Sequence, residues 1–172
     1  IAFTVSRDGG RTFAPPARVS HDDWVLDGCP ENGPSIAADT KGAVHIVWPT
    51  LVKGNGSEPT LALFYATTRD GKTFTPRMQI PTDGTPRHPQ IAINRDGRVL
   101  VAWDEQLTGS RRVVIDEAIP ANGGVRFANL TILDGERNDY PAAAGIEHGF
   151  VVAYTSATKT DSTIRVRNLM IE

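Results

Sequence analysis

Four short stretches of the chain carry side chains able to do chemistry: Arg87-His88, Asp104-Glu105, Arg111, and Arg137 with Asp139-Tyr140. Clustered guanidinium groups hold a carboxylate through paired hydrogen bonds. A carboxyl group beside them can supply a proton. Asp104, Glu105, Asp139 and Tyr140 are therefore the candidates for catalysis. Arg87, His88, Arg111 and Arg137 are candidates for binding. Glu31 joins them, as does Trp24, which lies in a long connection of the kind where exposed aromatics meet ligands. Plainer readings stand beside these. Asp104-Glu105 also reads as a solvated loop, Arg87-His88 as ordinary surface, and Trp48, Trp103 and Tyr154 as core aromatics ending buried strands. Asp139 and Tyr140 are expected just before an A strand, and adjacent residues of extended chain face opposite ways. His45, inside a strand, reads as a packed residue. Cys29 has no His–Asp partners in sequence and reads as a small hydrophobe. The four histidines, at 21, 45, 88 and 148, are scattered without metal-ligand spacing. No P-loop, dinucleotide fingerprint or nucleophile elbow occurs, so no cofactor or metal is expected.

The elements that must position these residues are strands. Gly and Pro punctuate the whole chain, and its short apolar runs are rich in Val, Ile, Phe, Tyr and Trp. Pro34–Trp48 aligns without a gap on Pro89–Trp103, and Pro141–Tyr154 is a third copy, one residue shorter before its aromatic. Each copy is a strand, a polar turn closed by Gly, and a second strand that is apolar at nearly every position. Such strands suit sheets covered on both faces. The copies recur about every fifty residues. Between them lies a second hairpin type, Leu61–Ile80 and Arg112–Leu133. The unit is four strands, A-B-C-D, repeated, which predicts a β-propeller of four-stranded antiparallel blades. The expected division is strands C and D with a crossover over 1–33, a blade over 34–87, a blade over 88–139, and strands A to C of a further blade over 140–172. About three blades cannot close a ring. The expected partners are the remaining blades of a longer protein, or a second copy of the chain.

The C–D corners carry a turn motif. Ser6-Arg7-Asp8-Gly9-Gly10-Arg11-Thr12-Phe13 fits a tight corner in which the Asp8 carboxylate accepts backbone N–H groups across its own turn. Gly9 and Gly10 there take positive φ, and Phe13 is expected to re-enter the sheet. Thr68-Arg69-Asp70-Gly71-Lys72-Thr73-Phe74 is a shorter copy, and Asn122–Phe127 a worn third. With the P-x-[IA]-A…G-x-[VF]-x-[VIA]-x-[WY] hairpins and the segment Gly28-Cys29-Pro30-Glu31-Asn32-Gly33-Pro34, these turns resemble the BNR/Asp-box propellers of the sialidase superfamily, in particular bacterial exo-α-sialidase-like proteins. The resemblance covers essentially the whole chain. It implies a six-bladed ring, a glycan ligand, and a secreted or periplasmic location. It assigns Ser6, Asp8, Gly10, Phe13, Thr68, Asp70, Gly71 and Phe74 to structure, because the substrate of sialidases lies at the opposite end, over the axis. That end holds the B–C loops and the D–A crossovers, where the candidates above fall. Sialidase chemistry uses a Tyr nucleophile activated by a carboxylate, with arginines on the substrate carboxylate. The F-R-I-P entry motif of that family is absent, and no arginine here matches its triad, so no catalytic role carries over. The function expected is glycoside hydrolysis. A non-catalytic glycan- or protein-binding propeller, or a structural assembly domain, are the alternatives.

Length and charge bound the rest. The chain has 172 residues, 40% hydrophobic and 22% charged, with a net charge of −2. That balance leaves no electrostatic footprint for nucleic acid or an anionic membrane. One cysteine excludes an internal disulfide. No apolar run reaches the roughly eighteen residues that span a bilayer. The chain opens inside a strand-like run, Ile1–Val5, and is read as a piece of a longer protein.

Overall fold

β-Branched and aromatic side chains pack well on a pleated surface, and the runs that carry them extend rather than coil. The computed structural model describes residues 1–22, 32–53, 58–121, 124–133 and 135–170, apart from the side chains of 128–130. Trp24, Cys29, Glu31 and the start of the worn third turn lie outside the described residues. The described residues form thirteen β-strands. Among the described residues there is no helix, hence none long and apolar enough to cross a membrane.

β1 (Ala2–Phe3) pairs with β2 (Ala17–Arg18). β3 (Ser35–Ala38), β4 (Val44–Val52), β5 (Thr60–Thr68) and β6 (Met78–Ile80) form an antiparallel sheet in chain order. β7 (Thr85–Ile93), β8 (Val99–Leu107), β9 (Ser110–Ala121) and β10 (Gly124–Leu133) repeat that wiring. β11 (Arg137–Ile146), β12 (Gly149–Ala157) and β13 (Ser162–Met170) repeat its first three strands. One parallel bridge, Arg137 to Arg111, ties β11 to β9 and so joins β7–β13 into a single hydrogen-bonded sheet of seven strands.

Alternation along a strand sends successive side chains to opposite faces, and here each face finds a neighbouring sheet. On β4, Ile46 and Trp48 pack with Val19, Ala62 and Phe64, while Val47 packs with Leu63, Ile91, Val101 and Trp103. On β8, Val99, Val101 and Trp103 take that same core, while Leu100 and Ala102 meet Val113, Phe150, Val152 and Tyr154. Two-sided burial explains why β4 and β8 are apolar without alternation. Each fully buried Val, Leu or Ile removes surface worth about 1.5–3 kcal/mol. The first strands lie side by side: β3 packs against β7, and β7 against β11. Ile91 N donates to Ser35 Oγ at 3.1 Å, and a Cβ on Gly145 would stand 2.0 Å from the Ile93 carbonyl oxygen.

Two expectations about strand limits need correction. β7 and β11 begin at Thr85 and Arg137, because the residues before each proline still pair with the second strand, Arg87 opposite Asp104 and Asp139 opposite Thr155. Arg87, His88, Asp139 and Tyr140 are therefore strand residues. β4, β8 and β12 also run past Trp48, Trp103 and Tyr154, so these buried aromatics lie within strands rather than at their ends.

The two described corners share one hydrogen-bond pattern. Asp8 Oδ1 accepts from Arg11 N at 3.0 Å and Thr12 N at 2.9 Å, and Ser6 Oγ accepts from Gly10 N at 2.8 Å. Asp70 Oδ1 accepts from Lys72 N at 2.8 Å and Thr73 N at 2.7 Å, and Thr68 Oγ1 accepts from Gly71 N at 2.9 Å. These bonds hold both carboxyl groups well below the usual aspartate range, led by Thr12 for Asp8 and by the Thr73 amide for Asp70. Gly10 and Gly71 have φ of 88° and 69°. The aromatics diverge. Phe74 meets Phe3 edge-on at 5.9 Å, whereas Phe13 is 63% exposed and re-enters no sheet. With β1 and β2 two residues long, no strand continues beside Phe13 to receive it.

Candidate functional site

The candidates gather at the end of the sheets away from the Asp8 and Asp70 corners, where two bulges set the geometry. Between Arg87 and Gln90, β7 places His88 and Pro89 opposite the single residue Trp103. Between Asp139 and Ala142, β11 places Tyr140 and Pro141 opposite Tyr154. Proline lacks the N–H that a ladder needs and is tolerated at such bulges. The extra residue bends into the left-handed region, with φ of 47° at His88 and 50° at Tyr140. Backbone strain of this kind costs about 1–3 kcal/mol per residue and persists where surrounding bonds enforce it.

Asp104 does the enforcing. It is fully buried on β8. Its Oδ1 lies 2.7 Å from His88 Nδ1 and accepts from Tyr140 N at 3.2 Å. Its Oδ2 lies 3.7 Å from Arg111 Nε. Burial pushes the Asp104 carboxyl up, against the pull of His88, the Tyr140 amide and Arg111. Arg111 then bridges to a second buried carboxylate, donating from Nη1 to Asp139 Oδ2 at 3.3 Å. Arg137 Nε donates to the same oxygen at 2.5 Å, and its half-exposed guanidinium is held charged by Asp139. His88 N donates to Asn32 Oδ1 at 2.7 Å, which ties in the approach to β3. The His88 and Tyr140 rings lie 4.3 Å apart at 35°.

Two hollows flank Tyr140. One, about 340 Å³, is lined by Gly33-Pro34, His88-Pro89 and Tyr140-Pro141, which are the equivalent entry residues of β3, β7 and β11, together with Gln90. The other, about 530 Å³, lies between β11 and the β12–β13 connection, with Arg137, Tyr140, Thr155, Thr158 and Asp161 on its walls. The exposed chemistry is thus an aromatic ring, a guanidinium and a rim of hydroxyls. The two carboxylates behind them are closed off.

The structure brings together His88, Asp104, Arg111, Arg137, Asp139 and Tyr140. Arg87 pairs across from Asp104, and among the described residues its buried Nε has no hydrogen-bond partner. Glu105 is turned away. Neighbours on a strand face opposite sides, and its carboxylate accepts from Trp103 Nε1 at 3.0 Å and pairs with Arg112 at 2.9 Å, which also reaches Asp83. Asp104-Glu105 is therefore neither a solvated loop nor a matched acid pair. His88 is not ordinary surface, since its side chain is 9% exposed. Alternation does separate Asp139, buried, from Tyr140, 47% exposed. The β12–β13 rim was not foreseen; its place after the third B strand, equivalent to the loop that follows Asp104-Glu105, was the available signal. Among the described residues no group of three or more His, Cys, Asp or Glu side chains is arranged to hold a metal. No family model and no curated protein sequence matches the chain.

Proposed function

We propose that this chain is a run of blades from a sialidase-like, BNR/Asp-box β-propeller of six blades, and that its crossover end binds a glycan over the ring axis. The propeller reading is supported by strand units of one antiparallel wiring that pack against one another in chain order, with their first strands side by side. The remaining blades come from further chain or from a second copy. The glycan reading rests on one observation: the entry residues of three successive strand units meet at one hollow beside an exposed tyrosine, which also borders a second hollow walled by the half-exposed Arg137. A ring with one apolar face stacks on Tyr140, and its hydroxyls meet the polar rim. Arg137 suits a carboxylate-bearing sugar.

Binding is favoured over hydrolysis for this stretch, because Asp104 and Asp139 are buried and paired and so present no carboxyl to a glycosidic oxygen. Titrating the full chain with N-acetylneuraminic acid, galactose and N-acetylglucosamine, read by saturation-transfer NMR, tests the reading. At least one sugar is expected to bind saturably and to lose that binding in Tyr140→Ala. No binding by any of the three refutes it. Turnover of a fluorogenic sialoside by the chain would restore the hydrolase reading in place of the binding one.

A further inference from the structure

We infer that His88 Nε2 is the atom that hydrogen-bonds a ligand hydroxyl in the hollow between Pro34, Pro89 and Pro141, with the Tyr140 ring as its movable cover. The choice of a hydroxyl ligand rests on the glycan reading above; the cover does not.

His88 has one ring nitrogen committed and one free. Nδ1 faces Asp104 Oδ1 at 2.7 Å, so a neutral imidazole here donates from Nδ1 and keeps its lone pair on Nε2. Nε2 is on the ring edge away from the buried carboxylate, is itself buried, and among the described residues has no hydrogen-bond partner. Buried polar atoms are rarely left so, and on a residue that lines a hollow such an atom calls for a ligand group. A sugar hydroxyl supplies the donor, and the three prolines supply apolar walls for the ring carbons.

Access to Nε2 depends on Tyr140. Its ring lies against the imidazole at 4.3 Å. The Tyr140 side chain is half exposed, and among the described residues its hydroxyl makes no hydrogen bond. Its backbone, in contrast, is fixed at φ 50° and bonded to the same Asp104 oxygen that holds His88. A side-chain rotation of Tyr140 therefore uncovers His88 without disturbing the anchor beneath. The two left-handed residues, one on each bulge, share one carboxylate and one hollow. That arrangement positions a proton-accepting edge under a swinging aromatic.

Carbethoxylation of the full chain by diethyl pyrocarbonate, scored histidine by histidine by mass spectrometry, reads the idea without an activity assay. Exposed His148 and buried His45 are references within the molecule, with side chains 67% and 11% exposed. His88 is expected to label far more slowly than His148 in the wild type. Tyr140→Ala should raise its rate by about tenfold, a change in local opening equivalent to a lost contact, with His45 and His148 unmoved. Tyr140→Phe, which keeps the ring, should label like the wild type. Millimolar sugar, whichever of galactose, N-acetylneuraminic acid and N-acetylglucosamine binds, should slow His88 labelling in the wild type and in Tyr140→Phe, both of which keep the stacking ring. If His88 labels as fast as His148 in the wild type, or Tyr140→Ala leaves its rate unchanged, the cover is refuted. If saturation transfer shows any of these sugars bound while His88 labelling is not slowed, the Nε2 contact is refuted and the glycan reading stands. If none of the three binds, the Nε2 contact falls with that reading, and the labelling rates still decide the cover.

Discussion

Replacing Asp104 by alanine should cost the protein about 3 kcal/mol, at the lower end of the 3–5 kcal/mol seen when one partner of a buried pair is removed. Two donors lose their acceptor at once, His88 Nδ1 and Tyr140 N, and Arg111 loses an ion-pair partner 3.7 Å away while its Nε still donates to Gln106 Oε1. Each buried donor left unpaired costs about 1–3 kcal/mol, and the variant gains back the desolvation that the wild-type carboxylate pays, so the costs do not simply add. Asp104→Asn keeps an oxygen for His88 and Tyr140 and gives up only the charge facing Arg111. It should cost about 1–2 kcal/mol. For a chain of this size each kcal/mol moves Tm by about 2–4 °C. Melts at neutral pH followed by tryptophan fluorescence should thus place the alanine variant roughly 6–12 °C below the wild type, with the asparagine variant between them. The pH dependence carries a second signature. Burial raises the folded carboxyl above the ordinary 3.8, so the folded state holds this proton more tightly than the unfolded one. Its contribution to stability is largest in acid and falls as pH climbs from 3.8 through the folded value. Asp104→Asn should remove that slope. An alanine variant within about 1 kcal/mol of the wild type, or an asparagine variant as damaged as the alanine one, would contradict the view that Asp104 holds both bulges together.

Other consequences are open to measurement. Gly145→Ala would put a Cβ 2.0 Å from the Ile93 carbonyl oxygen; urea melts should show a loss of about 1–3 kcal/mol, as for an overpacked contact, and an unchanged midpoint would mean that β7 and β11 do not touch as described. Tyr65→Phe leaves His45 Nδ1, 2.6 Å from the phenol oxygen, without its partner; about 1–3 kcal/mol should be lost, and a neutral result would assign that hydrogen bond no weight. In the corner turns the lowered Asp8 and Asp70 carboxyls contribute stability that is complete above 3.8 and disappears as pH falls through their folded values. Hydrogen exchange at Thr12 and Thr73 should accordingly stay protected as the pH drops past 3.8 and fail only in stronger acid; loss of protection at the ordinary value would show that the carboxylates do not hold the turns.

Local chemistry wrote much of this protein into its residue order. A glycine after an aspartate and a hydroxyl three or four residues away specify a corner from short-range bonds alone, and Asp8 and Asp70 make those bonds. An apolar run that never alternates implies cover on both faces, and Val101 and Ala102 find a different neighbour on each side of one strand. The repeat of such units needs no tertiary information to be seen. Three-dimensional packing settled the rest, because the deciding contacts join residues far apart in the chain. Asp104 looked like half of an acidic pair until pleat alternation split it from Glu105 and packing carried it under His88 and Tyr140. Phe13 and Phe74 occupy equivalent places in their turns, yet one is exposed and the other meets Phe3, since the neighbouring strands differ. The hollow itself is made by Pro34, Pro89 and Pro141. Each marks the start of a strand in sequence, and their common wall exists because side-by-side first strands bring three distant segments to one edge.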